Sequence, residues 1–180
     1  TRPNDTVLFL ASGHAGTDPS GDSTTWKAFE EAAPEEARTL ALGVVQDGEG
    51  ATKQHQIQVV GAQTEAHARE VGRAIARSTL VKTAIFGGDP NWGRVLAAAG
   101  VAGVSLVPDR ISLEAGADDG WLTLASGGAT ALADPARARA IFEQKDIRLR
   151  LDLGIGLAEA VVWTCDLSPD YVKINSDYTS

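Results

Sequence analysis

The stretch that most constrains the fold runs from Leu80 to Gly100, LVKTAIFGGDPNWGRVLAAAG. Its apolar opening, Leu80-Val81 and Thr83-Ala84-Ile85-Phe86, predicts a buried strand or a short connector. The chain then breaks at Gly87-Gly88-Asp89-Pro90-Asn91-Trp92-Gly93-Arg94, after which Val95 to Ala99 reads as a small-residue helix closed by Gly100. Strand, glycine-rich loop and helix are the order of a phosphate-binding loop, and Gly88 to Gly93 spells G-x-x-x-x-G. Yet Arg94 stands where that motif needs Lys, and Val95 where it needs Ser or Thr. Pro90 also removes a backbone N–H from a cradle that works by donating them. The phosphate-loop reading is rejected. Asp89 and Asn91 around Pro90 predict a fixed turn instead, with Trp92 buried beneath it and Arg94 paired with Asp89 or a nearby carboxylate.

Around this block the chain divides near Gly100. Before it, Thr6 to Ala11 predicts a strand buried on both faces, and Gly13 to Ser23 a loop. Thr25 to Gln46 is helical, in two segments with Pro34 in the first turn of the second, and Asp47-Gly48 ends it. Gln54 to Val60 alternates as a half-exposed strand, and Thr64 caps an amphipathic helix to Arg77. Beyond Gly100, Val104 to Val107, Arg110 to Leu113 and Trp121 to Leu124 predict short strands. Asp134 caps a helix from Pro135 to about Glu143, and Ile147 to Leu153 with Ala158 to Thr164 reads as a hairpin-like pair. Asp166 to Ser180 is too polar for a core element and too long for a trivial tail; Asp166, Asp170 and Asp177 are poor choices for burial. An αβ layer thus precedes a smaller α+β lobe.

Charge and cysteine content narrow the function classes. A net charge of −8 argues against a nucleic-acid partner or an anionic membrane, since either wants a basic face. No apolar run reaches spanning length. Cys165 is alone, so an internal disulfide framework is impossible and a reducing, cytoplasmic setting is expected. One cysteine and three scattered histidines (His14, His55 and His67) make no metal site, and the histidines read as surface or structural residues. Methionine is absent, which suggests a processed or excised piece.

The block Leu80 to Phe86 with Asp89-Pro90-Asn91-Trp92-Gly93-Arg94 resembles the central motif of the ornithine acetyltransferase family. The resemblance continues in Asn4-Asp5-Thr6-Val7, Asp47 to Lys53, Thr164-Cys165-Asp166-Leu167 and Tyr171 to Asn175, in order from Asn4 to Ser180. It implies an acyltransferase β chain, cut from a common precursor with an α chain and assembled as α2β2. Such enzymes move acetyl from N-acetylornithine to glutamate through an acetyl-threonine intermediate, and some also use acetyl-CoA. The implied fold is α/β (α+β): a layered αββα-like main domain shared with the α chain, here 1–100, then a smaller α+β lobe at 101–165. Residues 166–180 are expected to form a tail that returns to the active site.

What the resemblance implies for single residues differs from their bland readings. Glu49 in Asp47-Gly48-Glu49-Gly50 is by itself a solvated loop carboxylate; the resemblance makes it a substrate contact that holds the ornithine ammonium group. Asn175 passes from turn residue to hydrogen-bond partner of the bound amino acid, and Ser180 becomes part of the site lining. A threonine whose own α-amine serves as base is a known nucleophile. The match that starts at Asn4 puts the family's nucleophile upstream of Thr1, so Thr1 is read as a start of the numbering and no catalytic residue is assigned within this sequence. Cys165 is read as a small buried hydrophobe. No cofactor is expected, because two-step acyl transfer needs a nucleophile and an oxyanion pocket. Two other readings stay open: a related self-cleaving amidohydrolase or aminopeptidase, and a non-catalytic binding subunit.

Overall fold

The computed structural model describes residues 10, 12–14, 16, 24–117 and 120–177. Expectations for Thr1, for Thr6 to Ala11 apart from Leu10, for most of Gly13 to Ser23 and for Ser180 lie outside the described residues. The chain forms two units, Thr1–Ala41 and Leu42–Ser180.

The described regular structure that begins in the first unit is helix α1 (Thr24–Gln46), which is continuous and carries Pro34 inside it. Two segments were expected. Pro34 removes one i→i−4 bond and leaves the Glu30 carbonyl without that donor, but both residues are exposed and water can serve it. Beyond the proline the helix resumes with Arg38 donating to Glu35 at 2.5 and 3.1 Å and the Thr39 hydroxyl donating to the Glu35 carbonyl.

The second unit is built on one six-stranded sheet in the order β4-β3-β2-β5-β1-β6. Its strands are β1 (Gln54–Ala62), β2 (Ser112–Ala117), β3 (Gly120–Ser126), β4 (Ala129–Thr130), β5 (Asp146–Asp152) and β6 (Ala158–Cys165). Only β1 and β5 pair in parallel; the other neighbours are antiparallel. The division expected near Gly100 is therefore not a division of the sheet, since β1 precedes that residue and both its neighbours follow it. The expected β5–β6 hairpin is corrected, because β1 lies between them. After β5 the chain folds over the end of β1, with Leu153 N–H donating to the Val60 carbonyl and Ile155 N–H to that of Gly61.

Period-two alternation sorts the two faces of the sheet. His55, Ile57 and Val59 of β1, Ile147, Leu149 and Leu151 of β5, and Leu113 and Ala115 of β2 are buried on one face. Helices α2 (Glu65–Arg77), α4 (Trp92–Gly100) and α5 (Pro135–Phe142) contribute Ala68, Val71, Ile75, Val95, Ala98, Ala99, Ile141 and Phe142 to that core. The opposite face is mixed: Trp163 and Val161 of β6 lie across from Gln56 and Gln58, Arg150 donates to Glu114 at 2.5 and 2.7 Å, and its guanidinium lies 4.4 Å from the centroid of the Trp121 ring. The expected caps are in place, with the Thr64 side chain accepting from His67 N–H and Asp134 from Arg137 N–H.

The opening of the central block is a helix, α3 (Thr79–Phe86), where a strand or connector was expected. Val81, Ala84 and Ile85 are its buried residues, a helical spacing, and the Ser78 hydroxyl accepts from Val81 N–H. The turn after it is fixed as expected. Asn91 Nδ2 donates to Asp89 Oδ2, and Asn91 Oδ1 accepts from Arg94 N–H to cap α4. The N–H groups of Gly87, Gly88 and Asp89 all donate to α3 carbonyls, so they are spent on ending a helix and leave no phosphate cradle. Two details differ from expectation. Trp92 is half-buried against the core rather than fully buried, and Arg94 donates to the Leu80 carbonyl at 3.1 Å rather than to a carboxylate. Val104 to Val107 is not a strand; it leads into a 3-10 turn, Pro108–Arg110.

Candidate active-site loop and tail

The site is built on the segment between α1 and β1, Asp47 to Lys53. Gly50 takes φ +67°, and a Cβ there would lie 2.6 Å from the Tyr171 backbone nitrogen. That close approach needs glycine. It brings the loop against the start of α6 (Pro169–Asp177), the helix formed by most of the polar tail. Two turns along α6, the Asn175 side-chain amide donates to Glu49 Oε2 and to the Tyr171 carbonyl, each at 2.8 Å. The structure thus brings together two of the three predicted site residues, Glu49 and Asn175, both exposed; Ser180 lies outside the described residues.

Behind this pair is a polar anchor that sequence reasoning missed. Asp166 is 3% exposed, contrary to its expected unsuitability for burial. Its Oδ1 accepts from the N–H groups of Thr52 and Lys53 at 2.8 and 3.0 Å, and its Oδ2 from the Thr52 hydroxyl at 2.5 Å. Three donors offset the desolvation that makes a buried carboxylate costly. Asp166 N–H returns a bond to the Lys53 carbonyl, and the buried Ser168 hydroxyl donates to the Gly50 carbonyl at 2.6 Å. The available signal was that Thr52 and Asp166 both lie in blocks that carry the family resemblance.

Lys53 ties the loop to the central block. Its ammonium donates to the Ile85 carbonyl at 2.8 Å and the Phe142 carbonyl at 2.6 Å, closing the C-terminal ends of α3 and α5. Burial pushes the Lys53 amine below its ordinary value, against the opposing pull of Asp166 and Glu143. Lys82 of α3 reaches Cys165 Sγ at 3.9 Å, and its carbonyl accepts from Leu167 N–H. Cys165 is only half-buried. An open depression of about 230 Å³ adjoins the loop at Thr52, Lys53, Lys145 and Asp146; Glu49 and Asn175 stand outside it. Among the described residues no helix is long and apolar enough to cross a membrane.

Chemically, the exposed Glu49 carboxylate and the adjacent Asn175 amide offer an acceptor for a cationic amine and a neutral donor–acceptor beside it. The four described blocks of the family resemblance all converge on this loop. Comparison with known proteins agrees in extent. The model of the ArgJ family matches residues 1–180. The mitochondrial arginine biosynthesis bifunctional protein ArgJ of Schizosaccharomyces pombe is 43% identical over 183 residues, covering 100% of this chain and 41% of that protein. The glutamate N-acetyltransferase of Methanosarcina acetivorans is 42% identical over 181 residues, covering 100% of this chain and 45% of its own length. The chain therefore spans less than half the length of these curated relatives. The crystal structure of the arginine biosynthesis bifunctional protein from Bacillus halodurans superposes with a TM-score of 0.89 at 33% identity, over 99% of this chain and 83% of the other. The chain is a member of the ArgJ family.

Proposed function

We propose that this chain is the β chain of a glutamate N-acetyltransferase and supplies the substrate-binding side of its active site. A threonine nucleophile outside the present sequence takes acetyl from N-acetylornithine, ornithine leaves, and glutamate accepts the acetyl group. Glu49 holds the ammonium group of the amino-acid substrate, Asn175 binds beside it, and Ser180 completes the lining. An α chain of the same precursor provides the remaining groups, in an α2β2 assembly. Its setting is a reducing compartment such as the cytoplasm, which suits a chain with one thiol.

The observation that carries this reading is the 2.8 Å bond from Asn175 to Glu49, two residues far apart in sequence that the family resemblance independently assigns to the substrate. The relatives' names, glutamate N-acetyltransferase and arginine biosynthesis bifunctional protein, point the same way.

The test is Glu49→Gln in the assembled enzyme. A charge-assisted contact to an ammonium group is worth roughly 1.5–3 kcal/mol, so KM for N-acetylornithine should rise tenfold or more. The thermal midpoint should barely move, because an exposed loop substitution changes stability by about half a kcal/mol. A lowered midpoint with unchanged kinetics would make Glu49 a structural residue and remove the reading.

A further inference from the structure

We propose that Asp166 is a positioning residue, whose buried carboxylate holds the Glu49 loop in register with Asn175 and thereby sets affinity for the amino-acid substrate. The inference rests on the substrate role proposed above for Glu49.

Glu49 is exposed and its carboxylate accepts a bond from Asn175, so it goes where the loop backbone puts it. The loop has little structure of its own: between Gly48 and Lys53 its internal backbone bond is Ala51 N–H to the Gly48 carbonyl. Its geometry is imposed from the segment between β6 and α6. Asp166 takes both N–H groups of Thr52 and Lys53 and the Thr52 hydroxyl, while its own N–H donates to the Lys53 carbonyl. Bonds in both directions fix a peptide segment against sliding and against rotation. Ser168 grips the Gly50 carbonyl on the other side of Ala51. The same short segment then enters α6, which carries Asn175. Loop and helix therefore hold a common frame through Asp166, and the two halves of the substrate contact move together or not at all. Site geometry at this scale tolerates errors of only about half an ångström.

A role through Glu49 makes predictions that general support of the fold does not. Asp166→Ala in the assembled enzyme should raise KM for N-acetylornithine about tenfold or more while kcat stays within about threefold, the pattern of lost ground-state binding. Asp166→Asn should restore KM to within about threefold, because its carbonyl oxygen still accepts from both N–H groups and its amide donates to the Thr52 hydroxyl. In a Glu49→Gln background, Asp166→Ala should add less than about twofold to KM, since residues acting through one contact are not additive. Should Asp166→Ala fail to fold, Thr52→Val removes only the 2.5 Å bond and should raise KM about threefold or more. The inference is overturned if KM is unchanged in Asp166→Ala, or in Thr52→Val where that variant replaces it. It is equally overturned if the Asp166 and Glu49 effects multiply in full. Failure of Glu49→Gln to change KM is a different result: it removes the reading of the site itself, and the Asp166 inference with it.

Discussion

Between pH 7 and pH 4 the protein is expected to lose about 3 kcal/mol of stability through His55 alone. His55 sits near the start of β1, between Ile147 of β5 and Thr164 of β6, with 0% of its surface exposed. Among the described residues neither ring nitrogen has a hydrogen-bond partner. Burial, together with the charge of Lys82, pushes its pKa down to about 3 against the opposing pull of Asp166. The imidazole is therefore neutral in the folded protein, while in the unfolded chain it takes a proton below about pH 6.5. The unfolded state binds more protons through that interval, so stability is complete above the unfolded pKa and falls as the pH drops toward the folded one. Carboxylates titrate in the same range, and the measurement is thus a difference. Melting of the assembled protein is followed against pH for wild type and His55→Leu. The wild-type midpoint should fall away from the variant's below pH 6.5, and the variant should be the more stable at neutral pH, having lost two unpartnered buried nitrogens. Parallel curves would show that His55 is accessible to protons in the fold.

Gly50→Ala is the second change with a large expected effect. A residue with a Cβ at φ +67° costs about 1–2 kcal/mol relative to glycine. Here the Cβ would also lie 2.6 Å from the Tyr171 nitrogen and 3.0 Å from the Asp170 carbonyl carbon, and backbone does not swing aside as a side chain does. Forced overpacking adds about 1–3 kcal/mol, for a total of roughly 2–5 kcal/mol. The relief open to the molecule is to push α6 away from the loop, which breaks the Glu49–Asn175 bond. Gly50→Ala should thus lower the melting midpoint and, below it, weaken substrate binding more than Glu49→Gln does. Gly48→Ala is the control: its φ is not left-handed and its Cβ would come no nearer than 3.2 Å to the Cys165 sulfur and 3.3 Å to the Val45 carbonyl oxygen, so its effect should be clearly smaller. Equal behaviour of the two variants would mean that the α6 contact has no part in the site.

These two residues also mark how far the sequence could be read. Elements governed by local chemistry were legible: the Thr64 and Asp134 caps, the turn around Pro90 and the helix ended by Gly100. The mistakes arose where long-range packing decides. Leu80 to Phe86 is apolar at so many positions that strand and helix periods both fit, and only the burial of Val81, Ala84 and Ile85 selects the helix. In β1 the histidine takes the same face as Ile57 and Val59, while Gln54, Gln56 and Gln58 share the other. Polarity alone would have put His55 with the glutamines. Asp166 looked unfit for burial because its three donors are two backbone amides and a hydroxyl more than a hundred residues away. Glu49 and Asn175 could be paired only through the family resemblance, since neither carries a spacing that reveals the other.

The place of β1 in the sheet has a consequence for how the chain is made. Of the six strands of this sheet β1 comes first in the sequence, and both strands that flank it, β5 and β6, come last. Until Asp152 has been added, neither edge of a strand carrying Ile57, Val59 and Ala62 has a partner from this sheet, and the edge covered by β6 waits until Cys165. Helices α2, α3 and α4 can form locally meanwhile, but α2 lacks half of its seat, which is the β1–β6 pair, until β6 is made. Assembly of the sheet is thereby deferred to a late, long-range closure, the kind of topology that folds slowly and leaves strand edges open to unwanted pairing on the way. The polar Gln54, Gln56 and Gln58 on one face of β1 make that waiting strand less adhesive than an apolar one, so residues that contribute little to the finished core guard the chain before the core exists.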